Sequence, residues 1–411
     1  MGWPLVCLVD CCTIKPPKSE ARKLLKDNEL VSFVPMRNLG VNTKEVIKDE
    51  DKMLSDVSGS YTYFAEKDVL LAKITPCFEN GKLGVATGLT NQIGFGSSEF
   101  IVFRAGCDLF PEYLYYFLLQ PSFRETGQAV MTGAVGHKRV PKDFIENTEI
   151  PLPPIPEQKR IVAILDEAFA DIEQARALTE QNLKNARELF ESYLQQVFSQ
   201  RGEGWVETTL GNEIDLLTGF AFKSNGYVTH KESVPLIRGD NVIQGKLRWD
   251  GVKLWPKDKI SDYQKYQLAE NDIVLAMDRT WVKAGMKYSR ITNKDLPALL
   301  VQRVARMRCL NSLNSDYLYH LVGSKLFENY VLSIQTGLGV PHISGKQIQD
   351  FKFSMPVIGH QKLVVETLNK LSKNVLQLTE IYQKKLALTD ELKKSLLQKA
   401  FTGELTAKSA A

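Results

Sequence analysis

The sequence predicts an α+β fold built twice: two tandem α/β domains, each followed by a long helix. The two helices pair as an antiparallel coiled coil, which gives pseudo-two-fold internal symmetry. Three observations carry this. Motifs recur in one order at a nearly constant offset, and each half has a long stretch of mixed pattern followed by a long stretch of helical pattern.

The repeat is explicit. Tyr113-Leu114-Tyr115-Tyr116-Phe117-Leu118 returns as Tyr317-Leu318-Tyr319-His320-Leu321-Val322, and Asp68-Val69-Leu70-Leu71-Ala72 as Asp272-Ile273-Val274-Leu275-Ala276, both 204 residues on. Thr132-Gly133 returns as Thr336-Gly337, and Phe103-Arg104 as Met307-Arg308. After a one-residue slip the offset is 203: Pro153 matches Pro356, Gln158-Lys159 matches Gln361-Lys362, and Phe198 matches Phe401. Gly2-Trp3 is echoed by Gly204-Trp205. Recurring aromatic clusters explain one or two matches, not a collinear series. The period is far longer than a solenoid repeat, so this is domain duplication.

The expected boundaries are a first domain at 1–152, a central helical region at 153–200, a second domain at 201–355 and a distal helical region at 356–411. Within the domains, Glu99–Phe103 and Gln302–Arg308 read as strands between Gly, Asn and Pro punctuation. The Tyr-rich segments from Tyr113 and Tyr317 read as helices, with Pro111 near the first start.

Pro151-Leu-Pro-Pro-Ile-Pro156 is a stiff connection, after which a helix is expected near Glu157. Its seam runs through Ile161, Leu165, Ala168, Ile172, Ala175, Thr179, Leu183, Ala186, Leu189, Tyr193 and Val197, in steps of four and three with a stutter near Leu183. The second seam, Val364, Leu368, Leu371, Val375, Leu378, Tyr382, Leu386, Thr389, Leu392, Leu396 and Ala400, is in phase with it. Residues 157–191 carry five basic and eight acidic residues, net −3, and 362–399 carry eight and four, net +4. Opposite signs favour pairing of the two helices with each other. At 1.5 Å per residue, about 40 residues span roughly 60 Å, or on the order of 18 base pairs of B-DNA. The plainer alternative is two amphipathic helices, each docked on its own domain.

Composition bounds the rest. With 44% hydrophobic and 24% charged residues the chain is an ordinary globular protein, not a disordered one. No run of about 18 apolar residues occurs, so no membrane association is expected, and the N-terminal residues lack a signal-peptide pattern. A cytoplasmic location follows as the expectation. Cys7, Cys11, Cys12, Cys77, Cys107 and Cys309 form no Cys-x-x-Cys pair, which points to reduced thiols rather than disulfides or zinc. The net charge of +4 decides nothing by itself; its distribution matters.

Catalytic signatures are missing from the sequence. There is no Gly-x-x-x-x-Gly-Lys-Ser/Thr loop, since Gly345-Lys346 is followed by Gln347, and there is no Asn-Pro-Pro-Tyr, Asp-Pro-Pro-Tyr or Pro-Asp motif. Glu157-x-Lys159 and Glu391-x-Lys393 fall in the helices as solvated faces. His137, His230, His320, His342 and His360 lack metal-ligand spacing. The expectation is a binding protein with no catalytic residues, metal or cofactor of its own.

The architecture resembles the specificity subunits of type I restriction-modification systems over essentially the whole chain. The most specific local matches are Leu152-Pro-Pro-Ile-Pro-Glu-Gln-Lys-Arg-Ile-Val162 and Leu396-Leu-Gln-Lys-Ala-Phe-Thr-Gly-Glu-Leu405. The second linker, Met355-Pro-Val-Ile-Gly-His-Gln361, departs from the pattern by losing prolines and the glutamate. The resemblance implies a non-enzymatic chain that binds double-stranded DNA, one target-recognition domain reading each part of a bipartite target. It also implies two methylation subunits that use S-adenosylmethionine on adenine, and restriction subunits that use ATP. The rival expectations are a nuclease or methyltransferase fused to recognition domains, and a coiled-coil adaptor with no DNA role.

Candidate DNA contacts follow from local charge. Residues 272–308 hold eight basic and three acidic residues, net +5, whereas 68–104 balance at three each. Arg279, Lys283, Lys287 and Arg290, interleaved with Trp281 and Tyr288, are candidates for phosphate or guanine contacts, as are Lys73 and Lys82 in the first domain. The glycine-containing loops 132–139 and 336–342 add Lys138, Arg139 and His342; the same loops also read as tight turns shared by the fold.

Overall fold

A computed structural model describes residues 2–230, 232–337 and 339–407. Met1, Leu338 of the second glycine loop and the last four residues of the distal region lie outside the described residues. The chain forms two compact units, each discontinuous: Met1–Glu180 with Lys384–Ala411, and Gln181–Gln383. Each therefore holds one globular domain and a stretch of both long helices.

In the first unit, a four-stranded antiparallel sheet runs in the order Cys12–Ile14, Phe100–Ala105, Val69–Ala72, Leu83–Val85. Val69–Ala72 is buried on both faces, as its unbroken apolar run requires. A second sheet orders Glu50–Met53, Leu30–Val34, Ile93–Gly96 and Thr62–Ala65, with Leu30–Val34 parallel to Ile93–Gly96. The second unit repeats the plan as Ile214–Thr218, Val304–Cys309, Ile273–Ala276, Tyr288–Arg290. Its lesser sheet has three strands, Lys253–Pro256, Ser233–Ile237 and Leu299–Leu300.

Duplicated sequence becomes duplicated chemistry. Asp68 and Asp272, both buried, each accept a backbone N–H three residues back (Ala65 and Ala269, 2.7 Å in each case). Each also accepts two bonds from an arginine 36 residues on: Arg104 at 2.9 and 2.8 Å, Arg308 at 2.7 and 2.8 Å. A buried carboxylate survives only when its lone pairs are met in this way.

The aromatic helices are Pro111–Leu118 and Ser315–Val322. The long helices are Ile155–Ser199 and Ile358–Thr402, 45 residues each. The first starts two residues before Glu157, because a proline in the first turn loses only an N–H that has no helical partner. Within the first unit the helices run antiparallel: Arg176 pairs with Asp390 at 2.6 Å, and Glu173 with Lys393. Rising numbers on one helix meet falling numbers on the other. In the second unit Leu194 and Val197 share a core with Val365 and Leu368.

Most of the expected seam is covered. Ile161, Leu165, Ile172, Val197 and Leu368 are buried, and Leu183, Val364, Leu371, Val375, Leu386 and Leu396 are half-buried. Leu189, Leu378 and Leu392 depart from the expectation, being 59%, 39% and 49% exposed. A straight helix drifts about 20° per heptad from a 3.5-residue seam, so the neighbouring residue takes the inward position. Phe190 packs on the core in place of Leu189, beside the expected Tyr193. Near Leu392, the Lys393 ammonium lies over the Phe169 ring, 5.3 Å from its centroid, and bonds Glu173.

Candidate nucleic-acid interface

Three backbone segments meet beside the core sheet of each unit: the loop leaving the central strand, the turn entering the long strand, and the glycine-containing loop. In the first unit these are 73–76, 97–99 and 132–139; in the second, 277–280, 301–303 and the described residues 336–337 and 339–342. The glycine loops are closed by a pair of reciprocal backbone bonds, Thr132 with Arg139 and Thr336 with His342, each pair at 3.0 and 2.8 Å. Gly133 and Gly337 have φ of +124° and +103°, and a Cβ at either would meet its own loop's carbonyl at 2.9 or 2.6 Å. These glycines are needed to make the turn.

In the first unit the segments wall a cleft of about 650 Å³ lined by Lys15, Lys18, Lys73, Arg139 and Lys142, with Tyr61, Tyr63 and Phe100. Lys73 donates to the Ser98 carbonyl at 3.0 Å, and burial pulls its ammonium below its usual value. Glu99 stands 4.0 Å from that ammonium, and an incoming phosphate would add a second counter-charge. Arg139 is exposed and holds Glu99 through two bonds, at 2.9 and 2.8 Å. The Arg139 guanidinium in turn holds the Glu99 carboxyl below its usual value. Lys138 is exposed at the rim.

In the second unit the equivalent cleft, about 360 Å³, is lined by Arg238, Arg279, Lys287 and Arg303, with Asp240 and Asp278 and the rings of Phe222 and Tyr227. Arg279 is exposed with φ of +45°, and its N–H donates to Pro341 at 2.6 Å. Burial lowers Lys287, as it does Lys73. His342 is half-buried, with its ring 3.4 Å from the Thr336 hydroxyl.

Five expected residues lie elsewhere or are already engaged. Lys82 donates to the Met36 carbonyl at 2.8 Å, fastening a loop. Arg290 pairs with Asp316 and lies over the Tyr319 ring, 5.8 Å from its centroid. Lys283 tips the hairpin between Trp281–Val282 and Gly285–Met286 and lines a different cavity, with Glu191 and Glu328. Trp281 and Tyr288 are half-buried and pack on the core of the second unit. Linear proximity misled here because consecutive strand residues face opposite sides of a sheet.

Lys15, Lys18 and Arg238 escape sequence reasoning because each is brought to its cleft from a distant segment, and Lys142 because it lies just past the glycine loop. Arg303 lies inside the basic stretch 272–308 but carries no distinguishing local pattern.

The family model for the type I restriction modification DNA specificity domain matches residues 2–181 and again 202–389. The type I restriction enzyme EcoAI specificity subunit of Escherichia coli is 29% identical, over 90% of this chain and 77% of that one. The MjaVIII specificity subunit of Methanocaldococcus jannaschii is 28% identical, over 72% and 71%. Among solved structures, a chain from work on assembly and conformational transition of the type I R-M system has a TM-score of 0.78 at 19% identity, covering 98% of each chain. The HsdS subunit from Thermoanaerobacter tengcongensis has a TM-score of 0.68 at 19% identity, covering 98% and 97%. At such identities the structural likeness establishes the fold.

Proposed function

The chain belongs to the type I restriction-modification DNA specificity family, and from that premise we propose that it gives such a complex its DNA address. Each domain copy reads one part of a split duplex target through its own basic cleft. The observation that carries this is the recurrence of the cleft at the same three backbone segments in both copies, lined by lysine and arginine each time. Those cations neutralise phosphates and release counterions, which supplies affinity without sequence preference, while the side chains between them meet base edges.

Two methylation subunits using S-adenosylmethionine, and restriction subunits using ATP, are the expected partners, and the bond-making and bond-breaking chemistry is theirs. The long helices offer the surface on which they dock. The chain acts in the cytoplasm, where its target DNA lies.

Mapping methylated adenines in a host that expresses this chain with its methylation subunits tests the proposal. A split motif is expected, and replacing residues 1–152 with the corresponding domain of another family member should alter one part only. An unsplit motif, or a motif indifferent to the replacement, would overturn it. Methyl transfer by the purified chain alone would favour a fused enzyme instead, and enrichment of no sequence by the assembled complex would favour an adaptor.

A further inference from the structure

We infer that five backbone-equivalent positions on the three segments beside each cleft hold that domain's base-reading set: 73, 74, 75, 99 and 139 in the first copy, of which Lys73 and Arg139 line the cleft, and 277, 278, 279, 303 and 342 in the second, of which Asp278, Arg279 and Arg303 line it while Met277 is buried and leaves its position without a contact. The inference rests on the DNA-reading function proposed above and assigns it to particular side chains.

The equivalence is set by the backbone. Lys73 N–H donates to the Glu99 carbonyl at 3.0 Å, as Met277 does to Arg303 at 2.8 Å. Thr75 donates to Lys138 at 3.0 Å, as Arg279 does to Pro341 at 2.6 Å. Val140 donates to Lys73 at 3.0 Å, as Ile343 does to Met277 at 2.9 Å. The two floors are thus one scaffold.

On that scaffold every side chain differs. Lys73, Ile74, Thr75, Glu99 and Arg139 stand where the second copy has Met277, Asp278, Arg279, Arg303 and His342. Several positions that hold the fold behave in the opposite way: Asp68 and Asp272, Arg104 and Arg308, Gln158 and Gln361 keep both identity and bonds. Packing and polar satisfaction fix the second kind of position. A fixed floor with every side chain exchanged suits two readers with different targets.

The chemistry of the exchange is directional. In the first cleft the guanidinium comes from the glycine loop, Arg139, and the carboxylate from the turn, Glu99. In the second the turn supplies the guanidinium, Arg303, and the loop after the central strand supplies the carboxylate, Asp278, with a shortest N to O distance of 3.7 Å. A guanidinium donates to guanine O6 and N7, and a carboxylate accepts from the amino group of cytosine or adenine. The two copies therefore offer the same pair of functions from different places on the floor. Arg279 is also held in left-handed backbone geometry, which only a few non-glycine residues adopt and which aims its side chain from the loop crest.

The test is selection from random duplexes by the assembled complex carrying the second copy's set in the first cleft: Lys73→Met, Ile74→Asp, Thr75→Arg, Glu99→Arg and Arg139→His. The expected result is a new preference in one part of the motif, with the other part unchanged. An unaltered motif overturns the inference. If the graft enriches nothing, the single variants Glu99→Gln and Arg139→His decide: each should lower the preference at a base pair of one part by roughly tenfold, and unchanged preferences in both would overturn it. A wild-type complex that enriches no split motif refutes the function proposed above, which separates the two failures.

Discussion

Gln158 and Gln361 show how a single buried amide can hold a domain on its helix. Both side chains are fully buried, and each accepts a backbone N–H, from Phe110 at 2.8 Å or Asn314 at 2.9 Å. Each donates to two carbonyls: Asp108 and Pro153 at 2.8 and 2.7 Å, or Ser312 and Pro356 at 2.9 Å each. Replacement by leucine keeps the volume but strands three backbone groups, one of them fully buried, so Gln158→Leu should cost about 2–3 kcal/mol, as should Gln361→Leu. Chemical denaturation checks this; a cost below about 1 kcal/mol would mean that water takes over the bonds. The pair was visible in the sequence only as a match at an offset of 203, because a glutamine at the start of a helix carries no local sign that it turns inward.

At the scale of elements, the aromatic helices meet the long helices through equivalent but chemically different pairs. Tyr116 donates to Asp166 at 2.5 Å in the first unit; in the second, His320 and Asn369 occupy these positions at 3.0 Å. Burial lowers the His320 pKa below its ordinary 6.5, with nearby Arg290 pushing the same way. The unfolded chain therefore takes up a proton near pH 6.5 that the folded unit refuses until lower pH. Stability from this group is complete above 6.5 and is lost as pH falls from there toward the folded value. Thermal melts of wild type and His320→Gln between pH 7.5 and 5 should show a steeper acid loss in the wild type. Parallel slopes would remove His320 as the cause. The pattern Tyr317-Leu-Tyr-His320 foretold the helix, but the partner at Asn369 comes from packing alone.

For the molecule as a whole, the duplication is cross-linked by exchange of helix ends. Tyr113 in the first unit packs on Phe401, which ends the distal helix, with ring centroids 4.9 Å apart. Tyr317 in the second packs on Phe198, which ends the central helix, at 5.1 Å. Each domain's core is thus completed by the helix that follows the other domain in sequence. Phe401→Ala should destabilise the first unit by about 3–5 kcal/mol, raising hydrogen exchange in its sheet strands while those of 205–355 keep their protection. Equal exchange changes in both units would refute this exchange of ends.

What the sequence by itself determined was periodic or repeated: two copies, strands and helices in order, and two apolar seams of equal length. Periodicity is a property of the backbone's own geometry, so it survives in one dimension. The tertiary structure alone decided which side chains share a place. It drew Lys15 and Lys18 to Lys73 and Arg139, withdrew Lys82 and Arg290 into other bonds, and turned Leu189, Leu378 and Leu392 outward. The reason is physical: a cleft is made where distant segments converge, and the direction a charged side chain takes is set by the partners that packing brings within reach of a hydrogen bond.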